Sequence, residues 1–225
     1  MNRIPREAAE GLLTSRPAPD APLGLPPGVH PVDVPGARQG LLVVPSGPLR
    51  PLPLLVFFHG AGGSASRSLP AVQDAADAAG VLALLPSSAG PTWDLLTGGL
   101  GPDVAALDGA LGGVFARQQV TRVAFGGFSD GASYALSLGL ANGDLAEALL
   151  AFSPGFAAPP AQRGTPRVWV SHGTGDTVLP VDRCGRRVVR LLGDAGYEVH
   201  YEEFVGAHVV PPGFVADALR WWLDA

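Results

Sequence analysis

The sequence predicts an α/β fold with a mostly parallel central sheet and helices on both faces. Three observations carry that prediction. Continuous apolar runs, among them Leu54-Leu55-Val56-Phe57-Phe58 and Val123-Ala124-Phe125, suit strands covered on both sides. Segments with helical spacing separate those runs, and strands that alternate with helices build parallel sheets through right-handed crossovers. The length of 225 residues, 47% of them hydrophobic, suits one domain, which at that size buries roughly 70% of its unfolded surface.

The elements follow in order. Residues 1–28 are rich in Pro, Ala and charge and read as an arm on the surface, partly disordered. A single domain is expected over residues 29–225. It opens with two extended segments, His30–Val34 and Gly40–Pro45, read as an antiparallel hairpin about Pro35-Gly36. The run Leu54–Phe58 is the first buried strand. Leu69–Gly80 is Ala-rich with helical spacing, and Gly80 is its stop signal. Val81–Leu85 is the next strand, closed by Pro86. Pro102–Gln118 is a helix with Pro102 in its first turn. Val123–Gly127 is a strand and Asp130–Leu140 the helix after it. Ala148–Phe152 and Arg167–Ser171 are strands, Val181–Ala195 a helix, Tyr197–Phe204 a less buried strand, and Phe214–Leu223 a closing helix. Only about 14 residues separate Phe152 from Arg167, too few for a large helical lid, so an open site is expected.

Composition excludes several classes. The net charge is −5, and no block of five or more basic residues occurs, so nucleic acid is not an expected partner. A single cysteine, Cys184, cannot form an intramolecular disulfide or a multi-cysteine zinc site. The N-terminal stretch lacks the apolar core of ~7–15 residues that a secretory signal carries. No apolar run approaches the ~20 residues of a membrane span. A cytoplasmic protein, monomeric or homodimeric, is the expectation.

The strongest motif is Gly127-Phe128-Ser129-Asp130-Gly131, a G-x-S-x-G sequence between an apolar strand and a helix. A serine in such a tight turn projects its hydroxyl beyond the sheet edge. Side chains two positions before or after it would strike neighbouring backbone, so glycine is needed at both. The Asp130 N–H and the helix dipole favour an oxyanion at that point. Ser129 is therefore the candidate nucleophile. A second Gly-rich turn, His59-Gly60-Ala61-Gly62-Gly63, ends the first buried strand, and glycines there let backbone N–H groups approach a carbonyl oxygen. Ala61 is the chosen second oxyanion donor, Gly62 the alternative. No G-K-[ST] follows, which argues against a nucleotide loop.

The general base should follow both nucleophile and acid in the chain. Of five histidines, His200 and His208 meet that order, and His208 stands in the loop Gly206-Ala207-His208 rather than in a strand. His59 and His172 read as structural, and His30 lies in the N-terminal region. The acid is expected after a later strand. Asp176, off the Gly173-Thr174-Gly175 turn, fits, and the competing Asp182 reads as a helix cap.

With these residues assembled, the chain resembles the small bacterial carboxylesterases of the phospholipase/carboxylesterase branch of the α/β-hydrolase superfamily. These are related to dienelactone hydrolases and polyhydroxybutyrate-depolymerase-like esterases. The residues that carry the resemblance are His59–Gly63, Gly127–Ser133, His172–Val178 and Gly206–His208, and the match spans about residues 40–223. The resemblance implies an α/β-hydrolase fold, a Ser129–His208–Asp176 triad, no cofactor, and hydrolysis of small-molecule carboxylic esters. One departure stands out. Many members carry Gln after the nucleophile, where this chain has Asp130. The oxyanion donor there is backbone and is not affected, but an inward carboxylate would disfavour anionic acyl groups. Gly62, Trp93 and Val178 are the candidates to touch substrate. Trp93 fits an apolar wall and core packing equally. Thioester, peptide or C–C cleavage on the same triad, and a non-catalytic binding protein on this scaffold, are the rival readings.

Overall fold

The computed structural model describes residues 4–33 and 38–224. In chain order its elements are α1 (Arg6–Ala9), β1 (Gly28–Val32), β2 (Gly40–Val44), β3 (Leu52–Phe58), α2 (Ala65–Ala79), β4 (Leu82–Leu85), α3 (Asp94–Thr97), α4 (Pro102–Phe115), β5 (Val120–Phe128), α5 (Asp130–Ala141), β6 (Ala148–Phe152), β7 (Arg167–Gly173), α6 (Gly185–Asp194), β8 (Val199–Phe204) and α7 (Phe214–Leu223). The strands form one sheet in the order β1-β2-β4-β3-β5-β6-β7-β8. From β4 to β8 every neighbouring pair is parallel, whereas β2 runs antiparallel to both β1 and β4. The turn expected at Pro35-Gly36, with Val34, lies outside the described residues.

Alternation along β3 explains the layering. Leu54, Val56 and Phe58 face one side, where they pack with Leu107 and Leu111 of α4, Leu136 of α5 and Val188 of α6. Leu55 and Phe57 face the other, against Val72 and Ala76 of α2 and Leu219 and Trp222 of α7. Successive side chains on a strand point to opposite faces, so a continuous apolar run needs cover on both sides. Four parallel strands, β3, β5, β7 and β8, end at one rim, and the loops that follow them carry Ala61, Ser129, Asp176 and His208.

The structure moves several boundaries. Helix α2 begins four residues before the predicted Leu69, because Ser64 caps it by accepting the Arg67 N–H. Pro70 therefore lies inside a helix, one turn from its start, where only a single backbone bond is lost. Helix α6 begins at Gly185 rather than Val181. Asp182 is not its cap and accepts instead from the Arg186 guanidinium at 2.7 Å. The N-terminal segment is packed rather than loose. Leu13 is buried, its N–H donates to Asn142 Oδ1 at 2.8 Å, and the Asn142 amide donates to the Gly11 carbonyl at 2.8 Å. The 14 residues between β6 and β7 contain no helix. Among the described residues, no helix is long and apolar enough to cross a membrane.

Candidate active site

Strand β5 and helix α5 are joined by one residue, Ser129, held at φ 58° and ψ −120°. A non-glycine residue there carries ~1–3 kcal/mol of strain unless its surroundings enforce it. They do. The Ser129 N–H donates to the Phe152 carbonyl of β6 at 2.9 Å. A Cβ on Gly127 would stand 2.5 Å from the Gly131 carbonyl carbon, and one on Gly131 would stand 2.5 Å from the His59 carbonyl oxygen. The two glycines of the motif are thus fixed by backbone packed against backbone, which cannot yield.

The three predicted side chains meet. His208 Nε2 lies 2.8 Å from Ser129 Oγ, and His208 Nδ1 lies 2.6 Å from Asp176 Oδ2. A carboxylate only accepts, so Nδ1 carries the proton and Nε2 accepts from the serine hydroxyl. The Phe128 ring packs against the imidazole with centroids 4.7 Å apart. The His208 loop is tied to the Asp176 loop by the Gly175 N–H, which donates to the Gly206 carbonyl at 2.9 Å. Gly173 lets the two loops close, since a Cβ there would stand 2.6 Å from the Gly206 oxygen.

Asp176 is buried, and burial alone would raise its carboxyl. The N–H of Leu179, the His208 imidazole and the N–H of Val178 outweigh that effect and hold it below the ordinary value of 3.8. The two N–H groups donate to Oδ1 at 2.8 and 2.9 Å. Val178 itself is 64% exposed on the rim.

The turn after β3 lies against Ser129, since a Cβ on Gly60 would stand 3.3 Å from Ser129 Cβ. Its N–H groups divide. Gly62 donates to the Pro91 carbonyl at 2.7 Å and Gly63 to the Gly60 carbonyl at 3.0 Å. Among the described residues, the N–H groups of Ala61 and Asp130 have no partner. Gly62 is thus spent as a donor, and Ala61 is left. His59 braces this turn, with Nδ1–H donating to the Gly60 carbonyl at 2.7 Å and Nε2 accepting from the Ser88 N–H at 3.1 Å. Burial holds its imidazole below the ordinary value of 6.5.

Trp93 does not line the site. It is 1% exposed, stacks on Tyr134 with centroids 4.9 Å apart, and donates its indole N–H to the His59 carbonyl at 2.8 Å. It is a core residue that braces the turn after β3 through the His59 carbonyl. His200 stacks on Trp169 away from the triad, and His30 bonds the Pro26 carbonyl. Cys184 is buried, which raises its thiol. Among the described residues, no group of three or more His, Cys, Asp or Glu side chains is placed to hold a metal ion.

Sequence reasoning missed three polar residues here. Ser133 accepts the Gly155 N–H at 2.9 Å and fastens the β6–β7 loop to α5. Thr92 donates to Asp130 Oδ2 at 2.7 Å. His172 lies with Nε2 2.7 Å from the Leu179 carbonyl and 3.3 Å from Asp176 Oδ2. Its position just before Gly173 in the turn that bears Asp176 was the one available signal.

No protein-family model matches the sequence, and no curated protein matches it. Solved structures do. Est1E from Butyrivibrio proteoclasticus is 18% identical with a TM-score of 0.67, covering 87% of this chain and 97% of that one. A Bacillus cereus carboxylesterase is 18% identical with a TM-score of 0.61, covering 82% and 93%. Zea mays acyl-protein thioesterase 2 is 15% identical with a TM-score of 0.61, covering 84% and 98%. The chain has the α/β-hydrolase fold these structures share.

Proposed function

We propose that this chain is a carboxylesterase-type serine hydrolase that cleaves carboxylic esters of small to medium size through an acyl-enzyme intermediate. The observation that carries the reading is the continuous relay from Ser129 Oγ to His208 Nε2 at 2.8 Å and from His208 Nδ1 to Asp176 Oδ2 at 2.6 Å. It ends on a serine held in a strained turn at a helix start. Fold alone would not license a function. The printed names of two of the structural neighbours, a carboxylesterase and an acyl-protein thioesterase, agree with the site-based reading.

In this reading, Ser129 Oγ bonds to the ester carbonyl carbon as its proton passes to His208 Nε2. The carbonyl oxygen takes the electron pair and is held by the N–H groups of Ala61 and Asp130. Each such donor contributes on the order of 10²–10³ in rate. The bond to the alcohol oxygen then breaks, and His208 gives that oxygen its proton. Water repeats the sequence on the acyl-enzyme, which frees the acid and restores Ser129. Asp176 fixes the tautomer and stabilises the imidazolium.

The test is a panel of p-nitrophenyl esters of graded acyl length, set beside acyl-CoA thioesters and amino-acid anilides, with Ser129→Ala as control. Turnover of the esters, and a fluorophosphonate adduct located on Ser129 by mass spectrometry, are the expected results. Ester turnover in Ser129→Ala within about tenfold of the parent would sink the reading, because such nucleophiles supply several orders of magnitude. The thioester and anilide arms read the other leaving groups that the same triad can release.

A further inference from the structure

Behind the relay stands a second imidazole that the reaction does not use. His172, at the end of β7, is fully buried. Its Nε2 is 2.7 Å from the Leu179 carbonyl. A carbonyl cannot donate, so Nε2 carries the hydrogen, and the same N–H faces Asp176 Oδ2 at 3.3 Å with both side chains at 0% exposure. Among the described residues, Nδ1 is buried without a hydrogen-bond partner. The ring sits against the Gly185 backbone, where a Cβ would stand 2.6 Å from Nδ1.

An orphaned buried acceptor is destabilising, and a plain core residue would avoid it. What the imidazole supplies in return is at its other end. Leu179 gives its N–H to Asp176 Oδ1 at 2.8 Å, and its carbonyl is gripped by His172. The peptide units around Leu179 are thus clamped between the carboxylate and the end of β7. Oδ2 meanwhile accepts the His208 Nδ1–H and faces a second N–H from His172. Glu203 of β8 stands opposite His172 in the β7–β8 register.

Resting on the proposed reaction, we infer that His172 is a positioning residue for that reaction. Donating through Nε2–H, it holds the Asp176 loop so that Oδ2 stays aimed at His208 Nδ1. It touches no substrate and acts only through Asp176.

His172→Leu keeps the approximate volume, deletes the clamp and also deletes the orphaned lone pair. His172→Gln returns an N–H near the Nε2 position, and His172→Asn returns one only near Nδ1. The expected result for His172→Leu is a melting temperature close to the parent's, kcat lowered about ten- to a hundredfold, and KM within about twofold. A misplacement of that kind acts on the chemical step and not on binding. The downfield proton resonance of the His208 Nδ1–H should move upfield or vanish by exchange. His172→Gln should restore both signals to a large extent, and His172→Asn should not.

A folded His172→Leu with kcat within twofold of the parent and an unmoved Nδ1–H resonance would overturn the inference. Should His172→Leu fail to fold, the Gln and Asn variants decide, and equal kcat in those two would overturn it as well. Ser129→Ala, run alongside, separates the two claims. Undiminished turnover there would defeat the reaction, while the Nδ1–H resonance still reads whether His172 holds Asp176.

Discussion

The Thr92 hydroxyl donates to Asp130 Oδ2 at 2.7 Å, which tethers the carboxylate beside the nucleophile to the chain after β4. In the proposed reaction, the residue whose N–H would hold the oxyanion thus also bears a carboxylate side chain. A like charge nearby across a screened, half-exposed site costs about 1 kcal/mol, roughly fivefold in rate. Asp130→Asn should therefore raise kcat/KM for a p-nitrophenyl hemisuccinate about fivefold relative to the neutral butyrate. Added salt should shrink the difference. An unchanged ratio between the two esters would show that the carboxylate does not face the acyl group.

Strain at Ser129 separates stability from activity. Glycine populates positive φ freely, so Ser129→Gly should stabilise the fold by about 1 kcal/mol, or ~2–4 °C in a domain of this size. Both Ser129→Gly and Ser129→Ala should lose at least about a thousandfold in kcat/KM. Differential scanning calorimetry beside an ester assay checks both. A melting temperature for the glycine variant below that of the alanine variant would contradict the strain argument.

Acid should weaken the fold through His59. Its imidazole is held below the ordinary value of 6.5 by burial. Between that value and the lower folded one, the unfolded chain binds a proton that the native state does not. Stability therefore falls as pH drops below about 6.5 and is unaffected by this group above it. Urea denaturation at pH 7.5 and 5.5 should show a lower midpoint at the acid pH, and His59→Gln should reduce the difference. Asp176 adds a second acid-side loss. Its carboxyl is depressed, so its contribution is present above the ordinary value of 3.8 and disappears as pH falls through the folded value.

Some of the site was legible because its causes are local. Gly127 and Gly131 announce a turn that only glycines permit, and the strand and helix around Ser129 follow from periodicity. His208 was found by chain order and by its place in a loop. The rest depends on distant partners. Nothing near Leu13 in the sequence points to Asn142, 129 residues away, which accepts its N–H. The start of α2 was missed because its first turn, after the Ser64 cap, precedes the apolar spacing read from Leu69. Gly62 and Ala61 are equivalent in sequence and differ only because the Pro91 carbonyl reaches one of them. His172 looked like strand-end filler because a tautomer is set by neighbours, here Leu179 and Asp176, and not by spacing.

The Gly131 position gives a sharp steric test. A Cβ there would collide with two successive backbone carbonyls, those of Phe58 and His59, which end β3 and begin the oxyanion turn. Gly131→Ala should cost more than about 2 kcal/mol and abolish fluorophosphonate labelling, since the shift must move either the donor turn or Ser129. Gly109, in α4, has nothing within 4 Å of its added Cβ. Gly109→Ala should be neutral or slightly stabilising by helix propensity. Equal melting temperatures for the two variants would mean that the packing of α5 on β3 is looser than described.

Trp93 decides between a substrate wall and a buried support. Its indole N–H donates to the His59 carbonyl at 2.8 Å and its ring stacks on Tyr134 at 4.9 Å. Trp93→Phe keeps much of the apolar contact and removes the donor, leaving a buried carbonyl without that partner. The fold should lose about 1–3 kcal/mol. The acyl-length profile of KM across p-nitrophenyl esters should keep its shape, because no surface that meets substrate has changed. The drop in kcat should be the same for every chain length, since the displaced element is the oxyanion turn and it acts on the carbonyl whatever the chain behind it. A preference shifted toward longer acyl groups would instead mark Trp93 as a wall that the substitution had opened.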